Sequence, residues 1–458
     1  MEAEQEDFER LTNDILKFSS LGIRPGLERV SRLLSRLGSP ERKFRAIQVL
    51  GTNGKGSTAA TIESVCMASG MRTALYTSPH LVSLRERLRV CGAPLSLEKW
   101  RGALRRVVSA ADSDEVLQAG RPTFFENLTA ICFLLMSESN LDIAVVEAGM
   151  GGRYDATSAC GAIAAVITPI GMDHIEYLGD TIEAIASEKF AAVRGGAAAF
   201  YAADDGRLSV QFAEACKSAG AGCFLMSRVA ASSNIRCSLG GTTFDYVPLK
   251  PELGVYAIPG LKTPLVGIHQ AYNASNAITS LLSLRKIFPG CFGGVGEREI
   301  RRGLLSVDWP GRMEVFRKSD SSPVVILDGA HNEHGFRALL VSLASLMEAG
   351  ESSGVGAVVF AVMKDKNAAP ILERLKELGA PVFCTRPPME RAMPARDLAR
   401  IVSDAGCEAR SYEDPIEALE AALAAARPEE TVVCCGSLFL VGALRRRLAH
   451  ENVFHEKN

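Results

Sequence analysis

A glycine-rich loop between a predicted strand and a predicted helix limits the possible folds of this chain more than any other feature. The apolar run 44–50 predicts a buried strand, and the pattern 57–69 predicts a helix that is ended by Gly70. The loop that joins them, 51–57, has the sequence GTNGKGS. A strand, a glycine-rich turn and a helix in this order are typical of an α/β unit built on a parallel sheet.

The composition of this loop suits a phosphate group. Glycines let successive backbone N–H groups point inward around phosphate oxygens, and the N-terminus of the following helix adds a favourable dipole. The lysine supplies a mobile positive charge and the serine a hydroxyl. The loop is a variant of the common P-loop, because Val49 stands at its first glycine position. A glycine-rich turn without a ligand is the alternative. The predicted nucleotide-binding residues are Gly51, Thr52, Asn53, Gly54, Lys55, Gly56 and Ser57.

The rest of the chain continues the alternation of strand and helix patterns. A second series of such units begins after 308–312, where proline and glycine interrupt regular structure. Between the two series, the alternating segments 242–247 and 254–258 predict hairpins. We therefore expect an α/β fold with a P-loop ATPase domain on a parallel sheet at 1–307 and a smaller Rossmann-like α/β domain at 308–458. Further strands are predicted at 73–77, 142–147, 162–168, 197–201, 324–327, 357–362, 381–385 and 431–435, and helices at 181–193 and 269–288.

Composition narrows the classes of protein and of partner. The 458 residues include 51 Lys and Arg against 53 Asp and Glu, a net charge of −2, so no global field attracts nucleic acid or an anionic membrane. Residues 1–10 lack the basic start and apolar run of a secretory signal, and no apolar run is long enough to span a bilayer. The 12 cysteines are scattered without a CxxC pair, which favours reduced thiols. We expect a cytoplasmic monomer without nucleic-acid or membrane partners.

Acidic and histidine side chains follow several predicted strands, where open α/β sheets bind their ligands. Glu147 ends an apolar strand and precedes the run AGMGGR, which favours a Mg²⁺ ligand over a helix-capping carboxylate. Ser78 follows the neighbouring strand, with an ordinary turn serine as the alternative. Asp173 and His174 end another strand, so His174 is a candidate ligand, although a lone histidine is more often a packing residue. The pattern around Lys189 alone predicts a solvated helix residue.

Taken together, the motifs resemble folylpolyglutamate synthase/dihydrofolate synthase, a branch of the Mur ligase superfamily. The resemblance keeps the order of the motifs and spans 21–442, nearly the whole chain. The runs that carry it are 51–57, 78–81, 123–126, 147–153 with 155–157, 173–174, 188–189, 269–270 with 273–274, 310–312, 328–332 and 436–438.

The resemblance implies an ATP-dependent amide ligase. A folate or dihydropteroate carboxylate would receive the γ-phosphoryl group of ATP, and the amine of L-glutamate would attack the acyl phosphate. Two anions meet in this reaction, so Lys55 and Mg²⁺, with two ions expected, would neutralise the charge on the transferring group. The implied partners are small molecules: ATP, L-glutamate and the folate or dihydropteroate.

The resemblance also implies roles for individual residues. Ser78 and Glu147 would hold Mg²⁺, and His174 would hold a metal position shared with Glu147. Lys189 would be carbamylated, which turns a cation into a carboxylate-like group. The implied catalytic residues are Lys55, Lys189 and His331. The further implied ATP contacts are Asn273, Arg312 and Asp328. The implied substrate contacts are Thr123, Phe124, Phe125, Glu126, Tyr154, Asp155, Ala156 and Ser437. Stacking on a flat ring and core packing remain equal alternatives for Phe124 and for Phe125.

Three departures from the family pattern stand near these residues. Phe190 follows Lys189 where the family usually continues Ala-Gly-Ile, Ser158 replaces a usual Asn, and Glu333 replaces a usual Pro. Two other functions remain open: another Mur-type ligase that joins an amino acid to a cell-wall nucleotide, and a nucleotide-binding regulator without turnover. The absence of an obvious nucleotide-sugar domain before the loop argues against the first, and the metal-site residues argue against the second.

Overall fold

The computed structural model describes residues 10–15, 22, 24–203, 205–250, 257–319, 321–364, 369–389 and 391–450. Within these, the chain divides into two compact units. One comprises the described residues within 1–231, 248–250 and 273–303, and the other comprises those within 232–247, 257–272 and 304–450. The predicted α/β class is confirmed. The domain division between residues 307 and 308 stays a prediction, as do the monomeric state and the cytoplasmic location.

The first unit is built on a mainly parallel sheet. Its strands are β1 (Ala46–Leu50), β2 (Thr73–Tyr76), β3 (Leu88–Val90), β4 (Ala93–Pro94), β5 (Ile143–Glu147), β6 (Ala164–Ile167), β7 (Ala198–Tyr201) and β8 (Gly222–Leu225). Their spatial order is β4-β3-β2-β5-β1-β6-β7-β8. In the spatial series β2-β5-β1-β6-β7-β8, each strand pairs in parallel with its neighbour. At one edge, β3 pairs antiparallel with β2, and β4 pairs antiparallel with β3. The carboxyl ends of β2, β5, β1 and β6 therefore share one edge.

Helices cover this sheet. They are α1 (Glu28–Arg36), α2 (Lys55–Ala68), α3 (Leu97–Asp112), α4 (Glu115–Ala119), α5 (Phe124–Ser137), α6 (Ile175–Leu178), α7 (Ile182–Phe190), α8 (Arg207–Ala219), α9 (Ile268–Ile287), α10 (Pro289–Phe292) and α11 (Glu297–Leu305). The helix after the glycine-rich loop, α2, is buried around most of its circumference, because small side chains let its neighbours approach closely. A β-carbon at Gly303 would lie 2.6 Å from the Cα of Val65. This packing fixes the position of the loop.

A small sheet follows in the chain, at the predicted hairpins. Its strands are β9 (Ala230–Ser238), β10 (Gly241–Pro248) and β11 (Ile258–Thr263), in the order β11-β10-β9. The strands β10 and β11 pair antiparallel. The predicted strand 254–258 lies mostly outside the described residues.

The second unit contains its own mainly parallel sheet. The strands are β12 (Glu314–Phe316), β13 (Val324–Leu327), β14 (Val355–Phe360), β15 (Val382–Thr385), β16 (Ala409–Tyr412) and β17 (Thr431–Cys435). Their order is β12-β13-β17-β14-β15-β16, with only the β12–β13 pair antiparallel among them. The helices are α12 (Glu333–Glu348), α13 (Ala369–Lys376), α14 (Ala395–Asp404), α15 (Pro415–Ala425) and α16 (Leu438–His450). The predicted Rossmann-like α/β arrangement is confirmed.

Two further sequence expectations concern the membrane and the thiols. No helix within the described ranges combines the length and the apolar character needed to cross a bilayer. The 12 cysteines are free thiols. Burial raises the pKa of several of them, including Cys66, Cys132 and Cys434, well above the ordinary value. These thiols act as small apolar side chains.

Candidate active site

The glycine-rich loop has a backbone that only glycine accommodates at two positions. Gly51 has φ +131°, and a β-carbon there would lie 1.9 Å from the Thr168 hydroxyl oxygen. Gly54 has φ +84° at the start of α2, and a β-carbon there would lie 2.5 Å from Asn273 Oδ1. A side chain at either position would strain the backbone and collide with a neighbour. The structure therefore places Asn273, a predicted ATP contact, directly beside the loop.

The loop is also tied to the segment that follows β6. The Thr52 N–H donates to the Pro169 carbonyl at 3.1 Å. The Thr52 hydroxyl donates to the Gly171 carbonyl at 3.1 Å and accepts from the Gly171 N–H at 3.0 Å. Asp173 and His174 follow two residues later. The structure thus brings the segment that carries the Asp-His pair to the phosphate loop.

Two lysine ammonium groups meet at this loop. Lys55 Nζ donates to the Thr52 carbonyl at 2.9 Å, and Lys189 Nζ donates to the Gly51 carbonyl at 2.7 Å. Lys189 is only 4% exposed, so the prediction of a solvated helix lysine is wrong. Burial and, to a smaller extent, the charge of Lys55 lower the pKa of Lys189 to about 7, although Asp173 and Asp155 oppose the shift. Near neutral pH a large fraction of this amine is uncharged.

The oxygen ligands predicted for Mg²⁺ lie at the carboxyl ends of β5 and β2. The Glu147 side chain is buried, and its Oε2 accepts a hydrogen bond of 3.1 Å from the Ser78 N–H. Carboxylate and hydroxyl oxygens are hard donors that suit Mg²⁺. Within the described part of the chain, no three His, Cys, Asp or Glu side chains gather as a metal-binding group. A site here would therefore need phosphate oxygens or water as additional ligands, as Mg²⁺ sites on nucleotides commonly have.

His174 lies at the start of the short helix α6. Its backbone is left-handed, with φ +52°, and its N–H donates to Asp173 Oδ1 at 2.9 Å. The imidazole is 40% exposed. This exposure contradicts a buried packing role for His174 and leaves the ring accessible. Its ligation of a metal stays a prediction.

The glycine-rich turn after Glu147 is held together by Asp155. Asp155 Oδ2 accepts from the Met150 N–H at 2.7 Å, and Oδ1 accepts from the Thr157 N–H at 3.0 Å and from the Thr157 hydroxyl. Burial raises the pKa of Asp155, and these hydrogen bonds oppose the shift. Ala156 is buried beside it, whereas Tyr154 is 52% exposed. Of the three predicted substrate contacts in this turn, Tyr154 has an exposed side chain, whereas Asp155 and Ala156 are buried.

The predicted substrate segment begins α5 with a capping box. Thr123 Oγ1 accepts from the Glu126 N–H at 3.3 Å, and Glu126 Oε2 accepts from the Thr123 N–H at 2.7 Å. Arg29 of α1 pairs with the same buried carboxylate, with Nε 3.1 Å from Oε2. The side chains of Thr123 and Glu126 thus form the N-terminal cap of α5. Their contact with a substrate stays a prediction, and the Thr-x-x-Glu spacing is the sequence signal that predicts the cap.

The two phenylalanines of this segment have different surroundings. The ring of Phe125 stacks on Tyr76 at 6.4 Å, and a β-carbon at Gly149 would lie 2.6 Å from its Cζ. The guanidinium group of Arg87 lies over the ring of Phe124, with the Arg87 Cζ atom 5.6 Å from the ring centroid. Both rings pack against the apolar core, but Phe125 also fills the space beside Gly149, whereas Phe124 has the Arg87 guanidinium group over one face.

Sequence reasoning missed the buried pair that adjoins Phe124. Arg87 Nε donates to His80 Nδ1 at 2.9 Å. Burial and the charge of Arg87 lower the pKa of His80 to about 3, so the imidazole stays neutral. Burial also lowers the pKa of Arg87. With its Nδ1 accepting, the neutral His80 carries its proton on Nε2. No sequence spacing reveals this pair, because a 3-10 helix at Leu84–Arg87 turns the arginine back.

In the second unit, predicted residues gather at the carboxyl ends of β13 and β17. Asp328 is buried, and its carboxylate accepts from the N–H groups of Met313 and Ala330, each at 2.8 Å. Burial raises its pKa, and Arg312 and these hydrogen bonds oppose the shift. A β-carbon at Gly329 would lie 1.9 Å from a terminal nitrogen of Arg312. The Asp328 carboxylate therefore fixes the segment that carries Arg312.

His331 and Ser437 lie at the same edge. His331 Nδ1 lies 2.7 Å from the Gly329 carbonyl, which makes Nδ1 the protonated nitrogen. The Gly436 N–H donates to the Ala330 carbonyl at 2.8 Å, which joins the two strand ends. The Ser437 hydroxyl accepts from the Phe439 N–H at 3.2 Å and so caps α16. These contacts gather Arg312, Asp328, His331 and Ser437 within the second unit.

Comparison with known proteins places these motifs in a family. The Mur ligase middle domain matches residues 49–281, and the Mur ligase glutamate ligase domain matches residues 311–438. The dihydrofolate synthase/folylpolyglutamate synthase of Bacillus subtilis (strain 168) is 32% identical over 436 residues, which cover 94% of this chain and 96% of the relative. The chain belongs to the dihydrofolate synthase/folylpolyglutamate synthase family of Mur ligases.

Solved structures of the dihydrofolate synthase/folylpolyglutamate synthase family share the fold. The Mycobacterium tuberculosis folylpolyglutamate synthase complexed with ADP and AMPPCP has a TM-score of 0.86 and 31% identity, covering 97% of this chain and 99% of its own. Escherichia coli FolC in complex with DHPP and ADP has a TM-score of 0.79 and 28% identity, covering 97% of both chains. The Yersinia pestis bifunctional enzyme complexed with AMPPNP and Mn ion has a TM-score of 0.77 and 29% identity, covering 93% and 94%.

Membership of the dihydrofolate synthase/folylpolyglutamate synthase family confirms the predicted class of reaction. The chain is an ATP-dependent ligase, and the glutamate ligase domain agrees with the amino acid that is expected. The full-length matches to folate enzymes favour this activity over another Mur-type amino-acid ligase and over a regulator without turnover.

Two family departures have local explanations. Phe190, beside Lys189, packs its ring in the core against Tyr201 at 5.3 Å and Phe212 at 5.2 Å. Ser158 donates its hydroxyl to the Gly152 carbonyl at 2.7 Å and accepts from Gln48 Nε2 at 2.9 Å. Neither departure removes a predicted site residue. Glu333 begins α12, in its first turn, where a carboxylate suits the helix dipole.

Proposed function

We propose that this chain joins L-glutamate to the carboxylate of dihydropteroate, of a reduced folate, or of both, at the expense of ATP. A carboxylate oxygen attacks the γ-phosphorus, ADP leaves, and an acyl phosphate forms. The glutamate amine then attacks the acyl carbon and phosphate leaves. The observation that carries the proposal is the phosphate loop with Lys55, Lys189 and Asn273 assembled around it, in a chain that matches folate ligases along nearly its whole length.

The phosphates of ATP bind the loop 51–57 in this proposal. The N–H groups at the start of α2 face the phosphate oxygens, and Lys55 places its charge at the β and γ end. Gly51 and Gly54 keep the backbone open for this approach. Asn273 contacts the nucleotide from beside Gly54. Arg312 and Asp328 are proposed as further ATP contacts.

Ser78, Glu147 and His174 are the proposed holders of Mg²⁺. The buried Glu147 carboxylate at the carboxyl end of β5 supports this assignment, since Mg²⁺ prefers hard oxygen ligands. The bound ion would neutralise charge on the phosphoryl group during transfer. Two ions, one of them shared between Glu147 and His174, fit the proposal.

We further propose that Lys189 is carbamylated. A carbamate forms when the neutral amine attacks carbon dioxide and loses a proton, so an amine with a pKa near 7 reacts readily at neutral pH. The product is a carboxylate-like anion beside the charge of Lys55 and the proposed metal position. The ring of Phe190 packs against Tyr201 and Phe212, and the neighbouring Lys189 amine still reaches the Gly51 carbonyl.

Flat substrate rings are proposed to contact Phe124 and Tyr154, with Phe125, Thr123, Glu126, Asp155 and Ala156 shaping the segments that present them. Phe124 has a guanidinium group on one face, and Tyr154 is exposed. His331 and Ser437 are proposed to meet the incoming glutamate. A His331 imidazole with its proton on Nδ1 has a lone pair on Nε2, and such an acceptor suits an ammonium group.

One assay tests the proposed function. Purified protein is incubated with ATP, Mg²⁺, L-glutamate and either dihydropteroate or a reduced folate, and both phosphate release and product mass are measured. We expect phosphate release that depends on both acceptor and glutamate, and a product heavier by one glutamyl residue. Reactions with D-glutamate or with a cell-wall nucleotide acceptor serve as controls. Phosphate release only with the cell-wall nucleotide acceptor would contradict the proposal. Comparing dihydropteroate with a reduced folate separates dihydrofolate synthase activity from folylpolyglutamate synthase activity.

A further inference from the structure

The turn that follows Glu147 is attached to the end of the helix that carries Lys189. The Arg153 N–H donates to the Glu188 carbonyl at 2.8 Å. The Arg153 side chain binds the same residue, with Nε 2.8 Å from Glu188 Oε1. One residue of the turn thus holds the residue before Lys189 through both its backbone and its side chain.

The turn and the helix are also in direct backbone contact. A β-carbon at Gly152 would lie 2.7 Å from the Glu188 carbonyl oxygen and 2.9 Å from that of Lys189. The last carbonyl groups of a helix lack partners within the helix, so the Arg153 N–H supplies one that α7 cannot. An arginine side chain near a helix C-terminus also interacts favourably with the helix dipole. The contact therefore serves as a cap for α7.

The other side of the turn is firmly anchored. Asp155 binds the Met150 N–H at 2.7 Å, and the Ser158 hydroxyl binds the Gly152 carbonyl at 2.7 Å. The turn begins directly after Glu147, whose neighbour Ala148 donates its N–H to the Val49 carbonyl at 2.9 Å. A rigid segment therefore connects the proposed metal ligand to the end of α7.

We infer that Arg153 is a positioning residue of the ligase reaction, which holds Lys189 over the phosphate loop through its ion pair with Glu188. This inference rests on the proposed function. The Lys189 ammonium contacts the Gly51 carbonyl at 2.7 Å, so a small rotation of the last turn of α7 displaces it from the loop. The ion pair is partly exposed, at 43% for Arg153 and 25% for Glu188, and pairs of this kind contribute little to stability. Its removal should therefore affect geometry far more than folding.

The test compares R153Q, E188Q and the charge-reversed R153E/E188R with the wild type. R301Q is the matched control, because Arg301 forms a similarly exposed ion pair with Glu297 at 2.8 Å on a surface helix. Misplacement of a reacting group by about 1 Å costs on the order of 100-fold in rate, so we expect kcat to fall by about 10- to 100-fold in both single variants. The KM for ATP and the Tm should stay as in R301Q, and the double variant should recover most of the lost kcat.

A second readout needs no turnover. With ¹³C-labelled bicarbonate, we expect a carbamate resonance in the wild type and R301Q that is weakened in R153Q and absent in K189M. Turnover of R153Q equal to that of R301Q, or a loss that charge reversal fails to recover, would overturn the inference. A wild type that forms no product would instead contradict the proposed function, and the carbamate signal would then decide on Arg153.

Discussion

Lys189 Nζ lies 2.7 Å from the carbonyl oxygen of Gly51, so the end of one helix reaches into the loop that begins another. Two lysines consequently share a small volume, and burial together with Lys55 lowers the pKa of Lys189 to about 7. The two amines have different roles in the proposed reaction. In that reaction Lys55 would contact the phosphates, and Lys189 would be carbamylated.

Replacing Lys189 by methionine should separate activity from stability. We expect turnover to fall by at least about 100-fold, since an electrostatic group of the site is lost. The amine has a pKa of about 7 when folded and an ordinary value of 10.5, so between these pH values the unfolded chain binds more protons and stability rises with pH. Below pH 7 the folded chain carries the full cost of the buried charge.

The stability of K189M should therefore exceed that of the wild type most at pH 7 and below, and the difference should shrink as the pH approaches 10.5. Urea unfolding in buffer depleted of carbon dioxide measures this difference. K217M, which changes an exposed lysine near the end of α8, is the control and should leave both properties unchanged. A K189M protein that is less stable at neutral pH would contradict the assigned burial.

Removing the other amine tests the phosphate loop. Lys55→Ala should abolish measurable turnover, because the charge at the β and γ end of the nucleotide is lost. Its hydrogen bond to the Thr52 carbonyl joins residues only three positions apart, so the loss of this bond should change the Tm little. Activity and nucleotide affinity are measured beside K43A, a variant of an exposed lysine. Nearly unchanged turnover of K55A would remove the assignment of the loop.

Two glycines with nearly the same φ angle allow the effect of backbone strain to be separated from that of a steric collision. Gly54 and Gly38 have φ of +84° and +81°, but a β-carbon at Gly54 would lie 2.5 Å from Asn273 Oδ1, whereas one at Gly38 would meet nothing within 4 Å. We expect G38A to lower the free energy of unfolding by about 1 to 2 kcal/mol through backbone strain. G54A should cost more and should also weaken nucleotide binding, because Asn273 must move. Equal effects on nucleotide affinity would contradict the placement of Asn273.

Asp328→Asn should disturb the second unit in spite of its similar shape. The carboxylate accepts from two backbone N–H groups, and an amide must turn its own N–H₂ group toward one of them. Leaving one buried donor unpaired costs about 1 to 3 kcal/mol. Thermal unfolding should show this loss, and turnover should fall because Arg312 is no longer held. D404N, at an exposed position of α14, is the control, and a D328N protein as stable as D404N would contradict the bonding pattern.

The two phenylalanines of the substrate segment should respond differently to truncation. Phe124→Leu should raise the KM for the pteroyl substrate by about 2- to 12-fold, which matches the free energy of one aromatic contact. Phe125→Leu should mainly lower the Tm, because its ring fills the space between Tyr76 and Gly149. Substrate kinetics and thermal unfolding of both variants measure this contrast. A larger KM effect in the Phe125 variant would reverse the assignment.

Sequence predicted the central strands well because strands buried on both faces form uninterrupted apolar runs. The predicted strands 324–327 and 431–435 coincide with β13 and β17. The edge strands β3 and β4 escaped prediction, since they are short and carry charged or turn residues. Their conformation comes from the pairing of β3 with β2 and of β4 with β3, which no local pattern encodes.

The sequence predicts those parts of the candidate site that depend on neighbouring residues in the chain. It does not predict the parts that depend on packing between distant segments. The loop 51–57 is recognisable from its glycines and its lysine. The burial of Lys189 is not predictable from the local sequence, because it depends on a contact between residues 138 positions apart. Thr123 and Glu126 are predicted substrate contacts, although their Thr-x-x-Glu spacing is a local signal for the capping box that they form.

The contact between Phe125 and Gly149 has a consequence for exchanging parts among relatives. The ring occupies the volume that a side chain at position 149 would need, so the two signature runs accept substitutions only as a pair. A graft that imports the segment 123–126 from a relative with different acceptor preference must bring the turn after Glu147 with it. In the proposed site, this one packing contact therefore links the acceptor segment 123–126 to the turn after the metal ligand Glu147.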